Sequence, residues 1–306
     1  MQIYSSIQTS FSPCVIALGC FDGVHLGHAA VIGAAKEIAD SEKLPLAVWS
    51  FQEPPKNFFV PNSVLLLTDK NEKADAMRAL GVDTLFSIPF DRNVAESSPE
   101  DFVRVLIEQL GARHLVCGFN FTFGKGGTGN AETLSKLCRE LSVGVTLVPA
   151  YLDEGDAVSS SRIRKALEDG DVERAARWLG HPYSLSAPVV EGQRLGRTLG
   201  FPTINQCFAP NQAVPRHGVY TVRASVDGKT YFGIANVGTR PTVGSTLLCC
   251  ETNLFDFSGD LYGKTVRVEF LSFLRSEKRF ESLDALTAQV QQDIQRAKET
   301  FKKPQA

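Results

Sequence analysis

The chain has 306 residues, of which 43% are apolar and 22% charged, and its formal net charge is −2. This composition is typical of a globular protein long enough to form two domains of ordinary size. The near-neutral charge gives no support to a nucleic-acid partner. No apolar run is long enough to span a bilayer, and the first basic residue is Lys36, so the start of the chain lacks the charged region of a secretory signal.

The cysteines also favour a cytoplasmic protein. There are seven of them, an odd number without a C-x-x-C spacing, which indicates neither a disulfide framework nor a zinc site. Such usage is typical of the reducing cytosol. The neighbours Cys249 and Cys250 are interpreted as opposite faces of one strand. Self-association is left open by the sequence.

The first half of the chain alternates short apolar runs with helical patterns. Ser98-Pro99 predicts the start of a helix, and Gly81 and Gly111 each predict a helix end. Strands that alternate with helices predict a doubly wound, Rossmann-like parallel sheet, whose ligands bind beyond the carboxyl ends of the strands. The predicted strands cover residues 15–18, 46–51, 84–88, 114–117 and 145–149.

From Ser184 onward, glycine and proline separate short β-prone runs, and this pattern predicts a small antiparallel β-barrel. Asp227-Gly228 between the first two runs predicts a hairpin. The predicted strands cover residues 219–226, 231–237, 247–254 and 265–271. A terminal helix follows from about residue 282, with an apolar face made of Leu283, Leu286, Val290 and Ile294.

The boundary between the two patterns is placed after a short helical segment, residues 171–179, which Gly180 ends. We therefore predict an α/β domain over residues 1–183 and a β-barrel domain over residues 184–306. The charge distribution agrees with two units, because residues 1–183 carry 17 basic and 23 acidic side chains whereas the remainder carries 15 and 11.

Residues 19–28, Gly-Cys-Phe-Asp-Gly-Val-His-Leu-Gly-His, lie between the first predicted strand and the first predicted helix. Backbone N–H groups and the helix dipole favour an anion at such a position. Gly27 would let the backbone approach a phosphate, and His25 and His28 offer ring donors to a triphosphate. In nucleotidyl transfer, donors of this kind stabilise the charge that accumulates on the leaving pyrophosphate. An isolated H-x-x-H is more often a turn cap, but the added F-D-G and Gly27 favour the phosphate site.

Together with two later stretches, this motif resembles the bacterial bifunctional riboflavin kinase/FAD synthetases over nearly the whole chain. Residues 118–125, Gly-Phe-Asn-Phe-Thr-Phe-Gly-Lys, are similar to the second adenylyltransferase motif of that family, and residues 159–164, Ser-Ser-Ser-Arg-Ile-Arg, to the third. The resemblance implies that residues 1–183 are an FMN adenylyltransferase domain. It also implies nucleotide contacts from Gly19, Phe21, Asp22, Gly23, Gly27, Asn120, Ser160, Ser161, Arg162 and Arg164, with His25 and His28 as catalytic residues.

One departure from the family lies at residues 51–55, Phe-Gln-Glu-Pro-Pro. The family usually has Phe-Glu-Pro-His-Pro, so Pro54 stands in the place of a histidine. Two hypotheses follow from this difference. Either the adenylyltransferase is active, since His25 and His28 are retained, or the first domain is a slow or inactive relic beside a working kinase.

The second half carries a glycine-rich loop and a P-T-x-N element, Gly192 to Asn205, that are similar to those of riboflavin kinases. Backbone amides of such a loop cradle phosphates, and the oxygens of Thr203 and Asn205 are suitable ligands for Mg²⁺. The loop is not a Walker A loop, because no G-K-[ST] closes it. The resemblance implies nucleotide or flavin contacts from Gly192, Gly196, Arg197, Gly200, Pro202, Thr203, Asn205, Arg240 and Arg275.

Glu251 opens a stretch, Glu-Thr-Asn-Leu-Phe-Asp-Phe, that is similar to the one whose first residue is the catalytic base in riboflavin kinases. The chemistry requires a base, because the 5′-hydroxyl of riboflavin loses its proton as it attacks the γ-phosphate of ATP. Relatives often carry histidine at the position of Asn253. The resemblance thus implies an enzyme that makes FMN and then FAD from riboflavin and ATP with Mg²⁺. The alternative of a flavin-binding regulator is disfavoured, because a binder needs neither a base nor leaving-group donors.

Overall fold

A computed structural model of the chain describes residues 1–7, 11–192, 196, 199–242 and 245–302. The chain divides into two compact units, Met1–Ser160 and Ser161–Ala306. The predicted architecture, a doubly wound parallel sheet followed by an antiparallel barrel and a terminal helix, is confirmed.

The first unit is built on a six-stranded sheet in which every pair is parallel, with the order β1-β4-β3-β2-β5-β6. Its strands are β1 (Gln2–Tyr4), β2 (Cys14–Leu18), β3 (Leu46–Phe51), β4 (Thr84–Ile88), β5 (Ala112–Gly118) and β6 (Gly144–Val148). Its helices are α1 (Leu26–Glu42), α2 (Lys56–Phe59), α3 (Lys70–Ala79), α4 (Arg92–Glu96), α5 (Pro99–Arg104) and α6 (Ala131–Glu140). A π-helical turn, Val105–Gln109, continues α5, and a small hairpin joins β7 (Leu152–Asp153) to β8 (Asp156–Ala157).

The residues of β2 explain why the sheet is covered on both faces. All five are buried, and they alternate between two apolar clusters. Val15 and Ala17 pack with residues of α1 and α3. Ile16 and Leu18 pack on the opposite face with residues of α5 and α6. A strand that is buried on both faces has a continuous apolar sequence, and this run is the signal from which β2 was predicted.

The helix ends also follow the predicted signals. Ser98 caps α5 through a hydrogen bond from the Asp101 N–H, and Pro99 occupies the first turn. Gly81 and Gly111 follow helices with φ of 79° and 73°, the left-handed region that glycine tolerates. A Cβ at Gly111 would also lie 2.8 Å from the carbonyl oxygen of Phe11.

The second unit is an antiparallel sheet in the order β10-β13-β12-β11-β14-β9, and a bridge between Val190 and Asn205 joins its two edges. The strands are β9 (Ser184–Pro188), β10 (Ile204–Cys207), β11 (Gly218–Val226), β12 (Lys229–Thr242), β13 (Ser245–Leu254) and β14 (Thr265–Arg275). The helices are α7 (Ser160–Asp169), α8 (Val172–Leu179) and α9 (Leu283–Lys302). The buried Gln206 amide of β10 donates to carbonyl oxygens of Ala187 in β9 and Val266 in β14, so one side chain ties both edges together.

The hairpin between β11 and β12 is the predicted one. Asp227 and Gly228 have φ of 48° and 75°, as a two-residue type I′ turn requires. The strand β12 runs past the predicted end at residue 237, because Gly238 is not a turn. A Cβ at Gly238 would collide with the Glu277 carboxylate, so this glycine permits a close approach inside a strand.

Two further expectations concern single side chains. Cys249 contacts Cys207 on one face of β13, whereas Cys250 lies beside Thr252 on the other, which confirms the interpretation of the cysteine pair. The expected apolar face of α9 was wrong at Leu283, which is 55% exposed. That residue begins the helix, and the apolar packing lies further along it, where Ala297 is buried and Val290 and Ile294 are partly buried.

The two compact units divide at a different residue from the predicted domains. The helices α7 and α8 belong to the second unit: the Arg216 N–H donates to the Leu167 carbonyl oxygen of α7, and α8 packs against β14. The sequence-based boundary between residues 183 and 184 stays a prediction.

Candidate functional sites

The first candidate site lies where the strand order of the parallel sheet reverses. The chain leaves β2 for β3 on one side and returns to β5 on the other. Leu18 pairs with Cys117, so Gly19, just beyond β2, and Gly118, the last residue of β5, lie side by side at the carboxyl edge of the sheet. Open α/β sheets bind ligands in the crevice at this switch point. The first two sequence motifs are therefore brought together.

The first motif forms a tight loop with unusual backbone geometry. Phe21 and Val24 have φ of 50° and 40°, which non-glycine residues adopt only where the surroundings hold them there. Phe21 is 1% exposed, and a Cβ at Gly19 would lie 2.9 Å from its ring. Gly19 is thus required for the packing of Phe21.

Asp22 fastens this loop to the segment before α3. Its buried carboxylate accepts hydrogen bonds from the Leu67 N–H at 3.0 Å and the Thr68 N–H at 3.4 Å. The Thr68 hydroxyl in turn accepts from the Gly23 N–H at 3.2 Å. These bonds give Asp22 a place in loop architecture, while a nucleotide contact from Asp22 or Gly23 stays a prediction.

The two histidines form a stacked pair at the start of α1. His25 is the N-cap residue, and its Nδ1 accepts from the His28 N–H at 3.2 Å. The ring centroids lie 3.6 Å apart with an interplanar angle of 17°. Because His25 Nδ1 is an acceptor, the neutral ring carries its proton on Nε2 and can donate from there. A Cβ at Gly27 would lie 3.1 Å from the His25 ring, so this glycine also leaves room for the imidazole.

The third motif begins against the first. The Ser160 hydroxyl donates to the Asp22 carbonyl oxygen at 2.9 Å, and the Val158 carbonyl oxygen lies 3.5 Å from where a Cβ of Gly27 would be. The Arg162 guanidinium lies 4.7 Å from the centroid of the Trp178 ring. Phosphate contacts from Ser160, Ser161, Arg162 and Arg164 stay predictions.

The second motif contributes Asn120 just beyond β5. Its Oδ1 lies 3.6 Å from where a Cβ of Gly118 would be, so the amide folds back over the strand end. Asn120 is exposed, as a ligand-binding amide at this edge would be. Its contact with a nucleotide stays a prediction.

Pro54 lies at the same edge, after the end of β3. Its carbonyl oxygen accepts from the Asn57 N–H at 2.9 Å, which starts the short helix α2. Proline has no N–H and no polar side chain. The position that carries a histidine in the resembled family therefore supplies no side-chain donor here.

Sequence reasoning missed Lys73, a buried lysine of α3 beneath this edge. Its Nζ donates to the Cys20 carbonyl oxygen at 2.6 Å, the Ser50 hydroxyl at 2.6 Å and the Phe51 carbonyl oxygen at 3.0 Å. Burial lowers the pKa of Lys73 to about 8. The available signal was helical spacing, because Lys73 shares a face with Met77, which is fully buried.

The second candidate site is a cavity of about 290 Å³ in the barrel unit. The lining contains Gly196 of the glycine-rich loop and polar residues from the predicted motifs and neighbouring strands, among them Thr203, Asn236, Glu251, Asn253 and Arg275. The structure therefore brings Thr203 of the P-T-x-N element and the predicted base into one cavity. Arg197 lies outside the described residues.

Glu251 stands in the middle of a row of three polar residues. It is in β13, directly opposite Asn205 of β10 on one side and Asn236 of β12 on the other. Directly opposite residues of an antiparallel sheet project to the same face. Asn236 was missed, although an asparagine inside the apolar run 231–237 is a signal that could have found it.

Close approaches explain the glycines around this cavity. A Cβ at Gly192 would collide with the Asn205 amide, and one at Gly196 would lie 2.5 Å from the Phe201 carbonyl oxygen. The Asn253 Nδ2 donates to the Pro202 carbonyl oxygen at 2.8 Å. The residue that replaces a family histidine thus anchors the P-T-x-N element. Gly200 has a φ of 84°, which suits a turn before that element.

Arg240 and Arg275, the two described arginines predicted to contact a ligand at this second site, each form hydrogen bonds within the protein. Arg240 donates to the Glu191 carbonyl oxygen at 3.3 Å, beside the glycine-rich loop. Arg275 donates to the buried Asp293 carboxylate of α9 from Nε at 2.9 Å and from Nη2 at 2.7 Å. This paired geometry fixes the guanidinium at the cavity wall. Ligand contacts from both arginines stay predictions.

Comparison with known proteins matches both halves of the chain. Residues 7–162 match the family model described as FAD synthetase, and residues 179–301 match the model described as riboflavin kinase. The bifunctional riboflavin kinase/FMN adenylyltransferase of Bacillus subtilis (strain 168) is 39% identical, over 95% of this chain and 93% of its own. The protein of that name from Escherichia coli (strain K12) is 36% identical, over 98% and 96%.

Among solved structures, a crystal structure described as a macrolide-efflux protein from Streptococcus pneumoniae is 32% identical. It superposes with a TM-score of 0.88, over 96% of this chain and 97% of that chain. Within the part of the chain that the structure describes, no helix combines the length and apolar character needed to cross a membrane.

Proposed function

The chain belongs to the family of bifunctional riboflavin kinase/FMN adenylyltransferases, and from this premise we propose how its residues divide the two reactions. The enzyme phosphorylates riboflavin with ATP to give FMN, and adenylylates FMN with a second ATP to give FAD and pyrophosphate. The cavity of the barrel unit serves the first reaction, and the carboxyl edge of the parallel sheet serves the second.

The kinase assignment rests on one observation, the position of Glu251 between Asn205 and Asn236 in the wall of the cavity. The riboflavin 5′-oxygen forms a bond to the γ-phosphorus while the bond from that phosphorus to ADP breaks. The Glu251 carboxylate accepts the hydroxyl proton. The two amides beside it are placed to orient the carboxylate and the ligand without adding charge.

The residues present fit a magnesium ion held mainly by the nucleotide. Among the described residues, no group of three or more His, Cys, Asp or Glu side chains could hold a metal. Thr203 and Asn205 supply two neutral oxygens, and Mg²⁺ commonly takes one or two protein ligands together with phosphates and water. When bound, the ion would neutralise negative charge on the phosphate oxygens. We expect chelation to stop FMN formation, added Mg²⁺ to restore it, and Asn205→Ala to raise the Mg²⁺ concentration required.

Adenylylation needs no general base in the first unit. The attacking group is the phosphate of FMN, which is already ionised at neutral pH, and it forms a bond to the α-phosphorus of ATP as pyrophosphate leaves. The requirement is for donors to the departing charge. The N-terminus of α1 and the ring N–H groups of His25 and His28 supply them.

Fragments test the division between the units. Residues 1–183 retain all three adenylyltransferase motifs, and we expect this fragment to convert supplied FMN to FAD. Residues 161–306 retain α7 and α8 on the barrel, and we expect that fragment to form FMN and no FAD. Comparison with residues 184–306 tests the predicted boundary, because a folded but inactive shorter fragment would show that α7 and α8 are needed. The division is wrong if a folded 161–306 fragment makes no FMN under conditions in which the full chain does.

We also propose that the enzyme works in the cytosol and that its ligands are riboflavin, FMN and ATP. None of the seven cysteines, all of which the structure describes, forms a disulfide, as is usual in a reducing environment.

A further inference from the structure

Lys73 uses all three of its protons in hydrogen bonds beneath the adenylyltransferase edge. Its side chain is buried, and its three acceptors are two carbonyl oxygens and one hydroxyl at 2.6–3.0 Å. The Ser50 hydroxyl, one of these acceptors, itself donates to the Cys20 carbonyl oxygen at 2.8 Å. The ammonium group therefore closes a small network in which every polar partner is satisfied.

The network connects two strand ends that border the candidate site. Cys20 belongs to the first motif, two residues after the end of β2, whereas Ser50 and Phe51 end the neighbouring strand β3. A single Nζ thus fixes the start of the motif loop relative to β3. The rest of the loop is held by Asp22 through segment 67–68, which leads directly into the helix that carries Lys73.

The loop needs such support because part of it is strained. Phe21 and Val24 have positive φ, a conformation that persists only where surrounding contacts over-determine it. His25 follows this segment directly and caps α1. A shift at Cys20 would therefore move the two imidazoles relative to the bound triphosphate, and misplacement by about 1 Å costs on the order of 10²-fold in rate.

We propose that Lys73 is a positioning residue for adenylyl transfer, holding the first-motif loop so that His25 and His28 meet the departing pyrophosphate. The inference rests on the proposed roles of the two histidines. An alternative role confined to folding of the first unit predicts equal losses of structure and activity, so the two roles are separable by experiment.

The charge of Lys73 supplies a second readout. Burial lowers the pKa of Lys73 to about 8, and the Cys20 and Asp22 side chains that face it act in the opposite direction. The group is therefore protonated at pH 7. Above about pH 8 a neutral amine has only two protons to donate, and one of the three acceptors loses its donor. We expect adenylylation by the wild type to fall as the pH rises through this value.

The test compares Lys73→Met with Lys70→Met, which changes an exposed lysine on the same helix. We expect Lys73→Met to lower kcat for conversion of supplied FMN to FAD by about 10- to 100-fold, as loss of a supporting hydrogen-bond partner does at other sites. The KM for ATP should change less than kcat. Lys70→Met should behave as the wild type, and riboflavin phosphorylation on the second unit should be unchanged in both variants.

Lys73→Arg provides the conservative rescue. Arginine keeps the charge and the donors and does not deprotonate in this range. We expect it to recover part of the lost kcat and to remove the fall above about pH 8.

The outcomes for Lys73→Met decide the proposal. Wild-type adenylylation in Lys73→Met would overturn the proposal, and so would a loss explained by unfolding of the first unit in thermal denaturation. His28→Ala in the same assay separates a failure of the Lys73 proposal from a failure of the proposed histidine roles. A loss in His28→Ala without one in Lys73→Met rejects the role of Lys73 alone, whereas no loss in His28→Ala rejects the proposed histidine roles themselves.

Discussion

The two units build their candidate sites in different ways. In the parallel unit, the site is made of loops beyond the strand ends, and buried side chains such as Asp22 and Lys73 hold those loops. In the barrel, Glu251 and its two asparagine neighbours lie on the strands themselves, so that the hydrogen-bond register sets their spacing. A loop site therefore depends on buried residues that hold the loops in place. A strand site depends chiefly on the side chains it presents.

The largest effect is expected at Glu251, the proposed base of the barrel site. Glu251→Gln keeps the shape of the side chain and its ability to hydrogen-bond, but it replaces the carboxylate with an amide that cannot accept the proton. We expect FMN formation to fall by about 10³-fold or more, within the upper range for general acid–base catalysis, while riboflavin still binds.

The measurement follows FMN by chromatography in the presence of riboflavin, ATP and Mg²⁺. Conversion of supplied FMN to FAD by the same preparation is the control, and it should be unchanged. Kinase turnover at the wild-type rate in this variant would remove Glu251 from the mechanism.

The second prediction makes the complementary change in the loop site. His28→Ala removes one of the proposed donors to the leaving pyrophosphate, and we expect FAD formation to fall by about 10²–10³-fold. The interaction strengthens as charge develops, so kcat should fall more than the KM for ATP rises. Equal losses in both reactions would contradict this, because they would indicate damage to the whole fold.

The third prediction concerns stability of the barrel unit. Asp293 is 1% exposed and pairs with Arg275, so Asp293→Ala leaves a guanidinium at the cavity wall without its partner. We expect the free energy of unfolding of this unit to fall by about 3 kcal/mol. Denaturant unfolding of the full chain, followed through loss of kinase activity, measures it.

Asp284→Ala is the matched control, since it removes an exposed carboxylate from the same helix. Its effect should stay below about 1 kcal/mol. A comparable loss in both variants would show that the helix as a whole, and not the ion pair, sets the stability.

The smallest effect is expected at Asn253, where the barrel site, like the loop site, depends on a side chain that holds a loop in place. Asn253→Ala removes the hydrogen bond to the Pro202 carbonyl oxygen. A bond of this kind contributes about 1 kcal/mol, so we expect about a fivefold rise in the KM for ATP in the kinase reaction. An unchanged KM would show that the P-T-x-N element holds its place without Asn253.

The sequence predicted those features that depend on local chemistry. The apolar run of β2, the cap at Ser98 and the Asp227-Gly228 hairpin each carry their cause within a few residues. Motif residues such as His25 and Glu251 were selected because a chemical requirement and a family resemblance pointed to the same positions, and their roles stay predictions.

Features that depend on contacts between distant segments were not predicted. From the sequence alone, Lys73 is expected to be a surface lysine. The fold shows that its Nζ contacts the chain at the ends of β2 and β3. The row from Asn205 to Asn236 follows from strand register, which a single sequence does not specify. The length of β12 was not predicted, because a glycine such as Gly238 can mark either a turn or a close approach inside a strand, and the sequence alone does not distinguish the two.

The lowered pKa of Lys73 couples folding of the first unit to release of a proton. Between about pH 8 and the ordinary value of 10.5, the unfolded chain keeps the proton on Lys73 while the folded chain has lost it. Stability therefore rises with pH across this window, by about 3 kcal/mol in total, and below about pH 8 the full cost of the buried charge remains. Catalysis has the opposite requirement, because the proposed network needs that proton. The adenylyltransferase unit is thus expected to work in the pH range where this lysine stabilises it least.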